Sequence, residues 1–240
     1  RRNSVGITAI MDAMADPFGL PLWDKLLRHN LLTVRATLAQ FYDPSRTRTA
    51  NGQVDYDGLV ASAIKVRARY AGNPLLRADF IKLFADGVIE ADPLSQPPTL
   101  GNAAVLSPYL QPSFATDSTG HATVTGYVDT QAPVCVETRG HMDAYQSAAA
   151  AAAFVQAQGF HPAQCLISSG RLQHERAVEL EYVKRMHRAG FNLHIHVIGD
   201  RALRTALDAI EAARASDGNF ATHDSLAHVQ LAHPDDIARI

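Results

Sequence analysis

Two histidines stand two residues apart in the run FNLHIHVIGDRA, residues 191–202, and Gly199 and Asp200 follow directly. If the run is a strand, His194 and His196 share one face, with His196 nearer the C-terminal end. Neutral imidazoles in that setting suit zinc or another borderline divalent ion. A lone buried histidine is more often a hydrogen-bonded core residue than a ligand, so the pair alone decides little. Two further residues of unusual polarity sit in similar apolar runs. Lys82 lies between Ile81 and Leu83 in FIKLFADG (80–87), and His228 lies in DSLAHVQL (224–231). A lysine in a strand covered on both faces is costly unless it is paired or chemically modified. The plain alternative is a lysine whose ammonium reaches the rim.

The elements that must position these residues are short and strand-like. Residues 5–13, 31–39, 80–87, 191–199 and 224–231 are nearly continuous in hydrophobicity, as parallel strands buried on both faces require. Helical periodicity lies between them. In 200–216 Leu203, Ala206, Leu207 and Ile210 recur at helical spacing, with Asp200 placed to cap the start. In 174–190 the apolar stripe runs through Val178, Leu180, Val183 and Met186, and Gly190 ends it. Alternating strands and helices predict an α/β fold, and repeated units of this kind suit a (β/α)8 TIM barrel. A doubly wound open sheet is the structural alternative. In a barrel the C-terminal strand ends form one face, so Lys82, His196 and His228 converge there.

The stretch from about 88 to 140 breaks this rhythm with Pro, Ser, Thr and Gly, and it reads as an irregular insertion or lid. His121 and His141 within it read as exposed loop histidines rather than substrate contacts. The alanine run at 148–153 continues into Phe154 and Val155 and reads as an ordinary helix.

Composition narrows the classes. The 240 residues are 47% hydrophobic and 19% charged, enough for a sizeable core, and the formal net charge of -2 offers no attraction to nucleic acid or an acidic membrane. No apolar run approaches the ~20 residues that span a bilayer, and a cytoplasmic location is expected. Cys135 and Cys165 are far apart in no CxxC spacing and read as reduced thiols, a single disulfide being the alternative. The chain opens without Met and stops in a helix-like run, as a piece of a longer protein would.

The blocks IKLFADGVIE, LHIHVIGDRALRTALDAIEAA and LAHVQLAHPDDIARI resemble successive blocks of the amidohydrolase superfamily, in particular its amidohydrolase-3 or YtcJ-like branch. SVGITAIMDA and LLTVRATLAQFYDP are similar to the preceding blocks, in the same order. The resemblance covers nearly the whole chain and is weakest over 91–170. It implies a TIM barrel of the metal-dependent hydrolase type, present here as about strands two to six, in one partial catalytic domain over 1–240. By that resemblance Lys82 matches the metal-bridging lysine, often N6-carboxylated, and His196 and His228 match the ligands of the next two barrel strands. His194 falls deeper and stands behind the ligands. Asp86, Gly87, Gly199 and Asp200 shape the site, Asp200 as a helix cap. Two features depart from the pattern: Ala227 replaces the usual acidic residue before the last histidine, and no His-x-His occurs before residue 194. The resemblance places that His-x-His upstream of residue 1 and the proton-transferring Asp beyond residue 240, so the residues given are expected to hold half a metal shell and to be inactive by themselves.

The implied function is hydrolysis of an amide-like, non-peptide C–N bond in a small molecule by a water activated on one or two divalent ions, zinc first among them. Two rivals stay open: a catalytically inactive barrel with a structural or regulatory role, and a barrel enzyme that uses Lys82 as a Schiff-base amine. Exposed strand edges would favour a homo-oligomer.

Overall fold

The computed structural model describes residues 3–92 and 94–240. Its strands are β1 (Ala9–Ala15), β2 (Arg35–Phe41), β3 (Leu76–Phe84), β4 (Pro112–Thr116), β5 (Ala122–Tyr127), β6 (Asn192–Val197) and β7 (Ser225–His228). The α-helices are α1 (Leu20–Arg28), α2 (Tyr56–Arg69), α3 (Pro133–Gly140), α4 (Ala148–Gln158), α5 (Arg176–Arg188), α6 (Asp200–Asp217) and α7 (Pro234–Ile237). Two compact units result, one running through Asp86 and resuming over Leu172–Ile240, the other formed by Gly87–Arg171.

In the first unit the five apolar runs form one parallel sheet in the order β1-β2-β3-β6-β7. Parallel neighbours need a crossover, and helices supply it between successive strands. On β3 and β6 the odd-numbered side chains Ile81, Leu83, Leu193, Ile195 and Val197 are fully buried. Lys82, Phe84, His194 and His196 lie on the other face of the same two strands by the two-residue alternation. Leu203, Ala206, Leu207 and Ile210 of α6 are all buried, as their spacing predicts.

The expected TIM barrel is not formed. The sheet is open, with β1 and β7 as its edges and no pairing between them among the described residues. Closure needs strand number, tilt and stagger to match, and five strands cannot meet that condition at the tilt of an eight-stranded ring. The strand order never reverses, so the doubly wound alternative fails as well. β1 leaves Met11 and Met14 exposed.

Two helix readings need correction. The buried face of α5 is Glu179, Tyr182, Val183, Met186 and His187, so Val183 and Met186 of the stripe are buried as read, while in the first turn Glu179 is buried in place of Val178 and Leu180. The cap position of α6 is held by Gly199, and Asp200 is the first helical residue, where its charge meets the positive end of the helix dipole. His187 fastens the far end of this unit: its Nδ1 lies 2.8 Å from Asp217 and its Nε2 2.9 Å from Thr222. These contacts tie α5 to the end of α6 and to the approach to β7.

The second unit holds the antiparallel pair β4–β5, α3 and α4. Its small core is Cys135, Phe154 and Cys165, with Val128, Val134, Tyr145 and Phe160 packed around it. The two cysteines, read from sequence as reduced thiols, are joined in a disulfide. Spacing could not reveal this, because α3 and a turn of 3-10 helix at Pro162–Cys165 bring together residues 30 apart. Gly87 is required here, since a Cβ would collide with the Asn102 side chain that binds the Val88 N–H at 2.8 Å. No helix among the described residues is long and apolar enough to cross a membrane.

Closing a loop of this length lowers the entropy of the unfolded chain by an amount worth about 3–4 kcal/mol. Reduction, or Cys135→Ser with Cys165→Ser, should destabilise the second unit by that order, read as a lower urea midpoint for its unfolding.

Candidate functional site

The C-terminal ends of β3, β6 and β7 bring together most of the residues singled out in the sequence. Lys82 pairs in register with His194, and Phe84 with His196. His196 pairs with Ala227, and Val197 with His228. Strict alternation would therefore turn Ala227 towards the face of His196 and His228 away from it. The backbone breaks that rule. His228 has φ 80° and Val229 φ 48°, both left-handed. The His228 ring consequently stands edge-on to His196, with centroids 4.7 Å apart. Left-handed backbone at a non-glycine residue costs roughly 1–2 kcal/mol, most keenly for β-branched Val229. The hydrogen bond from Val229 N to Val197 O at 2.9 Å helps hold it.

An aromatic row extends across the sheet from this pair. Phe84 lies 5.1 Å from His196, and Phe41 lies 5.5 Å from Phe84. The Lys82 ammonium sits 4.4 Å from the Phe84 ring centre, a cation–π contact. Lys82 is 3% exposed, and burial lowers its pKa to about 8. A substantial fraction of the amine is therefore neutral near physiological pH.

His194, half-buried, is more than a deeper neighbour of His196. Its Nδ1 lies 2.8 Å from Ser225 Oγ, and that hydroxyl donates onward to Leu193 O at 3.2 Å. The serine proton is thus committed, so Nδ1 carries the hydrogen and Nε2 keeps its lone pair. Burial first, then the charges of Lys82 and His228, push the His194 pKa down to about 4, and the ring is neutral at pH 7.

Asp86 anchors the turn behind the histidines. Its carboxylate accepts hydrogen bonds from Ile198 N at 3.0 Å and Gly199 N at 2.8 Å, and it lies 3.7 Å from His196 Nε2. Asp200 begins α6 just beyond. On α5, Glu179 is fully buried, both its oxygens lack a hydrogen-bond partner, and it lies within electrostatic reach of Asp86.

Phe41, Phe84, Ser225 and Glu179 were not singled out in the sequence. The two phenylalanines close their strands, which a register argument could have flagged. Glu179 lies three and four residues before Tyr182 and Val183, so the correct phase of the α5 stripe would have exposed it.

Among the described residues no group of three His, Cys, Asp or Glu side chains is placed to hold a metal ion. The donors that do converge are the imidazoles of His196 and His228, with Lys82 and His194 on the adjoining strand positions.

No protein-family model and no curated protein is matched by the chain. Two crystal structures are matched, those of uncharacterised metal-dependent hydrolases from Pyrococcus furiosus and Pyrococcus horikoshii OT3. They are 16% and 15% identical in sequence, each with a TM-score of 0.53 over 99% of this chain. The chain spans about a third of their length, 33% and 32% respectively. At such identity the likeness is one of fold.

Asp86→Ala should leave two buried N–H groups without an acceptor, a cost of about 3 kcal/mol. Chemical denaturation checks the magnitude. Faster hydrogen exchange confined to Ile198 and Gly199 would identify the cause.

Proposed function

We propose that this chain carries part of the metal centre of a metal-dependent hydrolase of the amidohydrolase-3, YtcJ-like kind. Its ligands are His196, His228 and Lys82, its metal zinc, and its substrate a small molecule with an amide-like C–N bond. The observation that carries the reading is the approach of two imidazoles to 4.7 Å at the ends of adjacent parallel strands, beside a lysine 3% exposed. The fold shared with part of two metal-dependent hydrolases supports it.

The donor chemistry suits zinc in kind. Imidazole is a ligand zinc accepts readily, and the neutral fraction of the Lys82 amine can add to carbon dioxide and release a proton, giving a carbamate oxygen ligand. In number the donors fall short of a full shell, because no third His, Cys, Asp or Glu joins them among the described residues. When bound, a divalent ion lowers the pKa of its water towards neutrality and polarises the scissile carbonyl.

The chain's own residues have separable tasks. Asp86 holds the 198–199 turn and so aims His196. The left-handed backbone at 228–229 swings His228 to meet it. Phe41 and Phe84 make an apolar wall that keeps water away from the Lys82 amine. His194, neutral with its Nδ1–H held by Ser225, offers an Nε2 lone pair that can accept a hydrogen bond from a substrate N–H. The second reading is an inactive domain whose histidines persist as packing, and Ala227 with the incomplete donor set favours it.

Calorimetric titration with zinc separates the two. The hydrolase reading expects one ion per chain, with His196→Ala and His228→Ala each weakening binding at least tenfold. Lys82→Ala should remove any dependence of affinity on added bicarbonate. An unaltered isotherm in both histidine variants would favour packing.

A further inference from the structure

The second unit carries a hollow that the metal reading does not use. It holds about 780 Å³ and is walled by Pro97, Met142, Tyr145, Ala151, Ala152 and Val155, all within Gly87–Arg171. That size is typical of small-molecule sites, which bury most of their ligand against apolar side chains. A smaller hollow of about 160 Å³ adjoins it and shares Gln96, Val155 and His161 with it. Charged residues make up 19% of the chain, yet among the described residues no Asp, Glu, Lys or Arg lines either hollow. An ion entering there would lose water and find no countercharge, so the walls select an uncharged ligand.

The walls are fixed before any ligand arrives, which lowers the cost of binding. The loop that carries Pro97 is tied to itself: Thr99 N donates to Asp92 O at 3.0 Å, and Ser95 Oγ donates to the same oxygen at 2.7 Å. On the helix side, Ser147 caps the start of α4, and Gly159 ends it in left-handed backbone. Phe154 meets Tyr145 and Phe160 edge-on, with ring centres 5.2 and 5.6 Å apart, and so anchors the Tyr145 ring against the core. One polar atom stands out. His161 Nδ1 accepts the Ala163 N–H at 3.1 Å, and burial lowers the pKa of the ring, favouring its neutral form. The ring hydrogen is therefore on Nε2, a donor that finds no acceptor among the described residues.

We propose that this hollow binds a small, uncharged aromatic molecule, with His161 Nε2–H donating to an acceptor on it such as a carbonyl oxygen. The short side chains of Ala151 and Ala152 leave room for a flat ring, and Met142 and Tyr145 present the polarisable surfaces that rings prefer. The lining includes none of Lys82, His196 and His228, so the proposal is independent of the metal reading.

The probe is prodan, an uncharged naphthalene with a ketone oxygen, added to the 240-residue chain while its emission is followed. The expected result is saturable binding of one molecule per chain with blue-shifted emission. Ala152→Trp, at an exposed position of α4, should weaken binding at least tenfold. Naphthamide should displace the probe, whereas the naphthoate anion should need at least tenfold more. The His161 Nε2 nitrogen resonance should move on binding. An unaltered isotherm in Ala152→Trp, equal displacement by amide and anion, or a His161 ring signal that ignores the probe overturns the proposal. One probe per two chains, with a doubled hydrodynamic mass, would make the hollow a contact between copies and overturn it too. Should Ala152→Trp not fold, amide resonances in wild type decide: shifts on binding at Ala151, Ala152 and Val155 support the site, and unmoved signals there refute it.

Discussion

One carboxylate connects the two ends of the candidate site. Asp86 leaves the lysine strand and accepts the Ile198 and Gly199 N–H groups, the first donors after β6 and at the entry to α6. Those groups would otherwise point into a buried turn without partners, at a cost comparable to several ordinary hydrogen bonds. A single side chain thus sets the end of β3, the departure of β6 and the start of α6 against one another. His196, 3.7 Å from the same carboxylate, inherits its position from that arrangement. Loss of the carboxylate would remove that contact and, with it, the turn that positions the imidazole.

The second constraint is conformational. Register alone places Ala227 beside His196 and directs His228 elsewhere. Two consecutive left-handed residues undo that outcome, and one of them is valine, which resists the conformation most. Strain of this kind persists where the surroundings over-determine it, and it gathers at functional positions. Here its result is specific: it closes the aromatic row from Phe41 through Phe84 and His196 to His228.

Periodicity in the sequence sufficed for the parallel strands, because continuous apolar runs such as FIKLF and LHIHV have few other uses. Helix α6 followed equally well from Leu203, Ala206, Leu207 and Ile210. Closure did not follow, because whether a sheet becomes a ring depends on stagger between strands, which no single run encodes. Val183 and Met186 placed the buried side of α5 correctly, but its first turn was misread because a buried Glu179 offends the rule that charged residues face water, and the apolar neighbours Val178 and Leu180 drew the stripe aside. The disulfide was illegible for a simpler reason: a separation of 30 residues carries no local signal. At the site, Lys82, His194 and His196 were readable from their improbable settings. The bend that brings in His228 was not, since nothing in SLAHVQL announces a left-handed valine.

Charge explains why these particular groups tolerate one another. Lys82 and His194 are in-register neighbours, and burial opposes the cationic form of each, lowering one to about 8 and the other to about 4. The nearby carboxylate, Asp86, is turned towards the 198–199 amides and His196 and gives its negative charge to them. Lys82 and His194 are left as neutral or easily neutralised nitrogen bases beside the Phe84 ring. Such a face repels an added proton, because a proton would fix one more charge where desolvation penalises it. A divalent cation differs, since several lone pairs can share it and each bond offsets part of its lost hydration. The same burial that makes the Lys82 ammonium and the His194 imidazolium stronger acids leaves their nitrogen lone pairs free of a proton. The lowered proton affinities of Lys82 and His194 have one physical origin, the burial of nitrogen bases on a sheet face whose carboxylate, Asp86, is engaged by the 198–199 amides.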